Sequence, residues 1–289
     1  MPASSKKRVD HITRLGVLAG GGDIPRRFIE HCRAGCSIDV FVVGFEGQTD
    51  PASIEGGDHL WARLGGAGRV LKALKSRDIH DIVFIGKIRR PSLKELRPDL
   101  KTAEFFAKEG FKAFGDDGLL KGLRRFLEKE GFRIYGVQDF MPDLLTPAGA
   151  VGAVKPSRGD RDDIARGVEV LQAMAPLDIG QAVVVQQGYV LGVEGAEGTD
   201  ELIRRCGLLQ RGGKRGILVK LCKDGQDTDL DLPTIGPQTI ESIVDAGLGG
   251  VAVHAGRSFV HELDTVREKA DEAKVFVIGV EPESFGEHG

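Results

Sequence analysis

The chain has 289 residues, a formal net charge of −3, 41% apolar residues and 41 glycines against one tryptophan and two tyrosines. That length accommodates one large domain or two ordinary ones, and the apolar fraction is enough to build real cores. The negative balance argues against a nucleic-acid partner. The glycine excess fits an α/β protein with many tight strand–helix junctions, where a missing Cβ lets backbones approach one another.

The first strand reads Arg14–Ala19 and stops at Gly20-Gly21-Gly22, with Asp23 as N-cap and Pro25 in the first turn of the helix that follows. Ile38–Val43 is a second, β-branched strand. From Leu60 to Arg77 a glycine-interrupted stretch leads into a helix carrying Val70, Leu71 and Leu74, and Ile82–Ile85 is a third strand ending at Gly86-Lys87. The pattern then turns helical over 102–114 and 119–130, the latter with an apolar stripe through Leu119, Leu120, Leu123, Phe126 and Leu127, before a strand at Phe132–Val137. Strands alternating with helices predict a Rossmann-like parallel sheet covered on both faces.

Prolines 142, 147 and 156 interrupt a stretch without sustained period, so an N-terminal domain 1–137, a linker 138–163 and a C-terminal α/β domain 164–289 are expected. The second domain is read as a helix at Ile164–Met174, a hairpin of Ala182–Val185 and Tyr189–Val193 turning at Gln187-Gly188, and a helix from Thr199. Strand Ile217–Leu221, helix Pro237–Asp245, strand Val251–Val253, a helix to Lys274 and strand Val275–Ile278 complete it as a mixed sheet.

Cys32, Cys36, Cys206 and Cys222 have no metal-finger or redox-pair spacing and read as reduced structural thiols. Leu15–Ala19 is too short for a signal-peptide core and no run approaches a membrane span, so a cytoplasmic protein is expected. Cations crowd the first half, Arg26, Arg27, Lys87, Arg89, Arg90, Lys94, Arg97, Lys101, Lys121, Arg124 and Arg125 among them. Most read as solvated helix faces, and the remainder would attract phosphates or an anionic lipid surface.

Ligands of open α/β sheets bind beyond the carboxyl ends of strands. Gly20, Gly21 and Gly22 there can aim N–H groups at an anion, although Pro25 stands in the third glycine position of a dinucleotide fingerprint. Lys87, Arg89 and Arg90 place three cations after another strand, and Asp116 and Asp117 read as a helix cap. The densest cluster is Glu194, Glu197 and Asp200, three acids in seven residues between a strand and a helix. One cap suffices for that junction, and like charges this close repel unless a cation neutralises them. Asp224, Asp227, Asp229 and Asp231 follow, without the glycine and glutamate of an EF-hand. Two acidic clusters point to phosphoryl chemistry on magnesium, with an aspartate directing water and Lys220 stabilising a phosphate oxygen. His254 reads as a satisfied, half-buried histidine.

At these residues the chain resembles the UDP-2,3-diacylglucosamine pyrophosphatases of lipid A biosynthesis, the LpxI type. The resemblance runs through Leu15–Gly22, Gly86-Lys87 with Arg90-Pro91, Gly115–Asp117, Asp178–Gln181 with Ala182–Val185, and Glu194–Asp200. Gln226-Asp227 with Asp231–Pro233, Gly236, Ala255-Gly256 and Ala270-Asp271 complete it. It implies a metal-dependent hydrolase that splits UDP-2,3-diacylglucosamine into UMP and 2,3-diacylglucosamine 1-phosphate, and two domains that clasp the lipid product. It implies catalytic Asp227 and Lys220, magnesium on Glu194, Glu197, Asp200 and Asp231, and substrate contacts from Gly20–Gly22, Lys87, Arg90, Gln181, Thr199 and Gln226. One departure stands out: the resemblance implies a Lys-Pro before the Gln-Asp pair and a basic residue shortly after it, whereas Asp224 follows Lys223 and Thr228-Asp229 stand in the basic residue's place, which shifts the phosphate-binding role toward Lys220 or Arg90. A non-catalytic nucleotide- or lipid-binding protein and a nicotinamide-dependent sugar-nucleotide oxidoreductase are the alternatives. A diacylated substrate also implies peripheral contact with the inner membrane, and a homodimer is left open.

Overall fold

The computed structural model describes residues 8–89, 96–109 and 116–285. The chain divides into two compact units, one of Met1–Pro142 with Asp227–Asp231, the other of Asp143–Gln226 with Leu232–Gly289. The division falls at residue 142, and the first unit also takes in five residues from the C-terminal half.

The first unit runs β1 (Arg14–Ala19), α1 (Ile24–Gly35), β2 (Asp39–Phe45), β3 (His59–Ala62), α2 (Ala67–Lys75), β4 (Asp81–Ile85), α3 (Leu100–Glu109), α4 (Asp116–Lys129), β5 (Arg133–Tyr135) and α5 (Val137–Phe140). Its strands form one sheet in the order β3-β2-β1-β4-β5, every pairing parallel. This is the expected Rossmann-like sheet, with one strand more than the sequence revealed. Strand β3 escapes a pattern search because it is a four-residue edge in which only Ala62 is buried. Leu18, Phe41 and Val43 of the sheet meet Val70, Leu71 and Leu74 of α2 and Leu127 of α4 in the core. Asp23 occupies the N-cap position of α1 but makes no capping bond; its Oδ1 accepts from Arg26 Nε and Nη2 at 3.1 and 3.0 Å. The end of the helix expected over 102–114, together with Arg90 and Gly115, lies outside the described residues.

The second unit comprises β6 (Gly149–Ala150), α6 (Arg158–Met174), β7 (Ala182–Gln186), β8 (Tyr189–Val193), α7 (Thr199–Gly207), β9 (Ile217–Lys220), β10 (Thr234–Ile235), α8 (Pro237–Asp245), β11 (Gly250–His254), β12 (Phe259–Val260), α9 (Leu263–Glu272) and β13 (Phe276–Val280). Six strands form a mixed sheet in the order β6-β13-β11-β9-β7-β8, in which β13, β11 and β9 are parallel and the other pairings antiparallel. The pleat sorts residues by face. Val184, Leu218, Val251, Val253 and Val277 pack with Leu202, Ile203, Ile240, Ile243 and Val266 of α7, α8 and α9. Val183, Val185, Ile217, Val219 and Ala252 pack with Ile164, Val168 and Leu171 of α6 on the other.

Helix α6 begins at Arg158, earlier than the apolar period suggests, because Ser157 and Asp160 close a reciprocal capping box: Ser157 N donates to Asp160 Oδ2 at 2.7 Å and Asp160 N to Ser157 Oγ at 3.4 Å. The hairpin turns where expected. Gln187 (φ 50°) and Gly188 (φ 80°) both lie in the left-handed region, as a tight two-residue turn requires. Buried Asp163 of α6 fixes the turn by accepting from both amides, at 2.9 and 2.6 Å. Among the described residues no helix is long and apolar enough to cross a membrane.

Candidate active site

In the first unit the strand order reverses between β1 and β4, which places a crevice at their carboxyl ends. The glycine loop and the Gly86-Lys87 turn meet there. Gly20 N donates to Ile85 O at 2.7 Å, Gly21 N to Lys87 O at 2.8 Å, and Lys87 N returns to Gly21 O at 3.0 Å. A Cβ on Gly20 would lie 2.6 Å from Lys87 O, and one on Gly86 (φ 92°) 2.8 Å from Gly21 O. Gly20 is therefore accounted for by backbone contact between two turns and Gly21 by Gln48 O, 2.7 Å from where its Cβ would lie, and both amides are spent on carbonyls. Gly22, at φ 92° with nothing within 4 Å of a Cβ, and exposed Lys87 are the members of this group that face open space.

The segment Asp227–Asp231 belongs to this same unit. Leu230 packs against its apolar core, Gln138 Nε2 donates to Thr228 O at 3.1 Å, and the turn closes through Leu230 N and Asp231 N on Asp227 O at 3.1 and 3.0 Å. The carboxylate of Asp227, 8% exposed, receives the guanidinium of Arg124 on α4. Arg124 Nε donates to Oδ2 and Nη2 to Oδ1 at 2.6 Å, while Nη2 also reaches Asp229 Oδ2 at 2.7 Å. These acids push the guanidinium pKa upward, Asp227 first through its hydrogen bonds. The cation missing beside Asp227 in the sequence thus comes from a helix about a hundred residues earlier. Nothing in its spacing set Arg124 apart from the other first-half cations.

In the second unit, the ends of β8 and β9 and the start of β7 bring four of the predicted residues into one hydrogen-bonded chain. Lys220 Nζ donates to Thr199 Oγ1 at 3.1 Å and to Thr234 O at 3.2 Å. Thr199 Oγ1 donates to Glu194 Oε1 at 2.6 Å, and Glu194 Oε2 accepts from Gln181 N at 2.8 Å. Lys220 and Glu194 are 8% and 7% exposed, so this is an interior polar chain, in which both Glu194 oxygens are paired while the buried Gln181 Oε1 has no partner among the described residues. Beside it Gln226 Oε1 accepts from Lys223 N at 2.9 Å, and Lys223 Nζ pairs with Asp178. Asp178 sits on a left-handed backbone (φ 53°) after α6 and had no signal beyond its place in the Asp178–Gln181 motif.

The acids expected on magnesium separate by role. Glu197 accepts from Arg205 Nε and Nη2 at 3.1 and 2.9 Å and from Gly195 N at 3.1 Å. Its own amide and that guanidinium hold the carboxyl below its ordinary range. Asp200 stands exposed in the first turn of α7, where negative charge complements the helix dipole. Glu194 has both oxygens engaged by protein donors. Glu194, Glu197 and Asp200 do not bring three ligand atoms within 4.8 Å of one another, so as arranged these three do not fit one metal as a set. Asp231 lies in the Arg124-anchored turn.

His254, at the carboxyl end of β11, corrects the sequence reading: it is 6% exposed rather than half-buried, and its Nδ1 has no hydrogen-bond partner. Burial lowers its pKa from the ordinary 6.5, with the Arg257 charge adding to the shift. The unfolded chain then binds one more proton than the folded one as pH drops below 6.5, so stability is full above that value and falls toward the folded pKa. Melting temperatures from pH 7.5 to 5.5 are expected to drop more steeply for the parent than for His254→Gln; parallel curves would mean that His254 charges freely in the fold.

A two-domain α/β protein with polar and ionisable side chains gathered at strand ends in each unit has a build common among enzymes. Residues 14–144 match the family model for the LpxI N-terminal domain and residues 147–278 that for the LpxI C-terminal domain. A relative from Caulobacter vibrioides, named UDP-2,3-diacylglucosamine pyrophosphatase LpxI, is 36% identical over 279 residues, covering 93% of this chain and 98% of its own. The chain is an enzyme and belongs to the LpxI family.

Proposed function

We propose that the chain hydrolyses the diphosphate of UDP-2,3-diacylglucosamine to UMP and 2,3-diacylglucosamine 1-phosphate in lipid A biosynthesis. The observation that carries this reading is the 36% identity, sustained over 93% of the chain, to a relative named for that pyrophosphatase activity. Water attacks the sugar-side phosphorus. A bond forms from the water oxygen to phosphorus, the bond to the bridging oxygen breaks, and UMP leaves with that oxygen. Asp227 is the group that takes the proton of the attacking water. Lys220, held by Thr199 Oγ1 as an acceptor, acts as the polar donor toward the phosphates, and Gln181 and Gln226 belong to the substrate's surroundings.

Magnesium is part of the proposal, as the ion that would neutralise the diphosphate. The diacyl substrate makes peripheral contact with the cytoplasmic face of the inner membrane part of the same reading. Purified protein incubated with UDP-2,3-diacylglucosamine and magnesium is expected to release UMP and the 1-phosphate in equal amounts, and EDTA is expected to stop it. Substrate bound but intact would favour a non-catalytic binding protein instead. Undiminished release in EDTA would remove magnesium from the reading and leave hydrolysis standing.

A further inference from the structure

We propose that Arg124 is a positioning residue for Asp227, an assignment that rests on Asp227 being the catalytic acid. Three observations converge on it. The guanidinium meets Asp227 through both Nε and Nη2, a fork that fixes the plane of the carboxylate as well as its position. Its Nη2 is shared with Asp229 Oδ2 at 2.7 Å, and Asp229 N donates to Asp227 Oδ1 at 3.2 Å, so the cation and the turn act on the same oxygen, Asp227 Oδ1. The turn already has anchors of its own in Leu230 and Gln138, which leaves orientation of the carboxylate, rather than attachment of the turn, as the distinctive work of Arg124.

The charge of this cluster supports the same assignment. Asp227 and Asp229 are 8% and 13% exposed, and two carboxylates this close repel when ionised. Arg124 stays charged throughout the working pH range, so it keeps both as acceptors without competing for the proton that Asp227 takes. A lysine would supply the charge but a single point of contact, leaving the carboxylate free to rotate.

The test compares steady-state kinetics of the full chain with Arg124→Ala, Arg124→Lys and Asp227→Asn. Arg124→Ala is expected to lower kcat about 100-fold, the scale of a misplaced catalytic group, with KM within about threefold. Arg124→Lys is expected to recover less than about a tenth of the lost rate, and added methylguanidine to restore activity to Arg124→Ala but not to Arg124→Lys. If the alanine variant fails to fold, the lysine variant decides: full activity there overturns the assignment. Arg124→Ala within twofold of the parent while Asp227→Asn is inactive would overturn it too, and leave the hydrolase reading intact. A loss of rate matched by a fall in melting temperature, with no rescue by methylguanidine, would reduce Arg124 to an anchor and equally overturn it. Parent-like turnover by Asp227→Asn would instead remove the catalytic reading beneath.

Discussion

Asp227→Asn is expected to cut UMP release by about a thousandfold while leaving the melting temperature within a few degrees of the parent. The substitution keeps the shape of the side chain and removes its charge and its capacity to accept a proton. The turn that carries it is held by Leu230 in the apolar core and by Gln138 on Thr228, neither of which the change touches. The fork to Arg124 loses one carboxylate oxygen, but Nη2 keeps Asp229 at 2.7 Å, so the guanidinium is not left without an acceptor. The loss should therefore appear in kcat. A variant with parent-like turnover would show that some other group moves the proton.

The second large effect falls on the two turns at the crevice of the first unit. Gly20→Ala places a methyl 2.6 Å from Lys87 O and 2.9 Å from Gly86 O, where both neighbours are backbone and cannot swing aside. The paired amides at Gly20 and Gly21 must part to relieve it, which strands carbonyls of Ile85 and Lys87. A destabilisation of roughly 3 kcal/mol is expected from denaturant unfolding, at the upper end of ordinary point substitutions. Gly22→Ala has no such neighbour and carries only the strain of a left-handed backbone, about 1 kcal/mol. Stability measured for both variants separates contact from conformation. Equal losses would mean that the turns are free to move apart.

That contrast also marks what could be read from the chain itself. The order of strands and helices was legible because buried strands are continuous apolar runs and the longer helices keep a 3.6-residue stripe. Gln187-Gly188 announced its hairpin because two left-handed residues have few alternatives. Strand β3 was not legible, since a short edge strand with one buried residue leaves no period. The start of α6 was missed because its capping box lies on the polar side of a proline-bearing stretch. Glycines 20 and 21 read as functional in pattern, yet the partners that explain them are the backbone carbonyls of Lys87 and Gln48, which no local motif records.

The candidate site divides in the same manner. Glu194, Thr199, Lys220 and Gln181 were named from motifs, and all four fall in one hydrogen-bonded chain. Glu197 looked equivalent to Glu194 in sequence, but Arg205, two turns along α7, claims it. Charge density alone could not separate them, because the difference lies in which face of the helix supplies a cation. Arg124 illustrates the converse: an ordinary arginine on an amphipathic helix acquires meaning only when the chain returns to it with Asp227.

Water labelled with oxygen-18 tests the central claim most directly, with the parent chain and Asp227→Asn run side by side on UDP-2,3-diacylglucosamine and the products weighed by mass spectrometry. Attack at the sugar-side phosphorus predicts that the parent yields unlabelled UMP and 2,3-diacylglucosamine 1-phosphate carrying one heavy oxygen, while the variant yields almost none of either. Intact substrate from the parent, label in UMP, or equal turnover by the two proteins would contradict it.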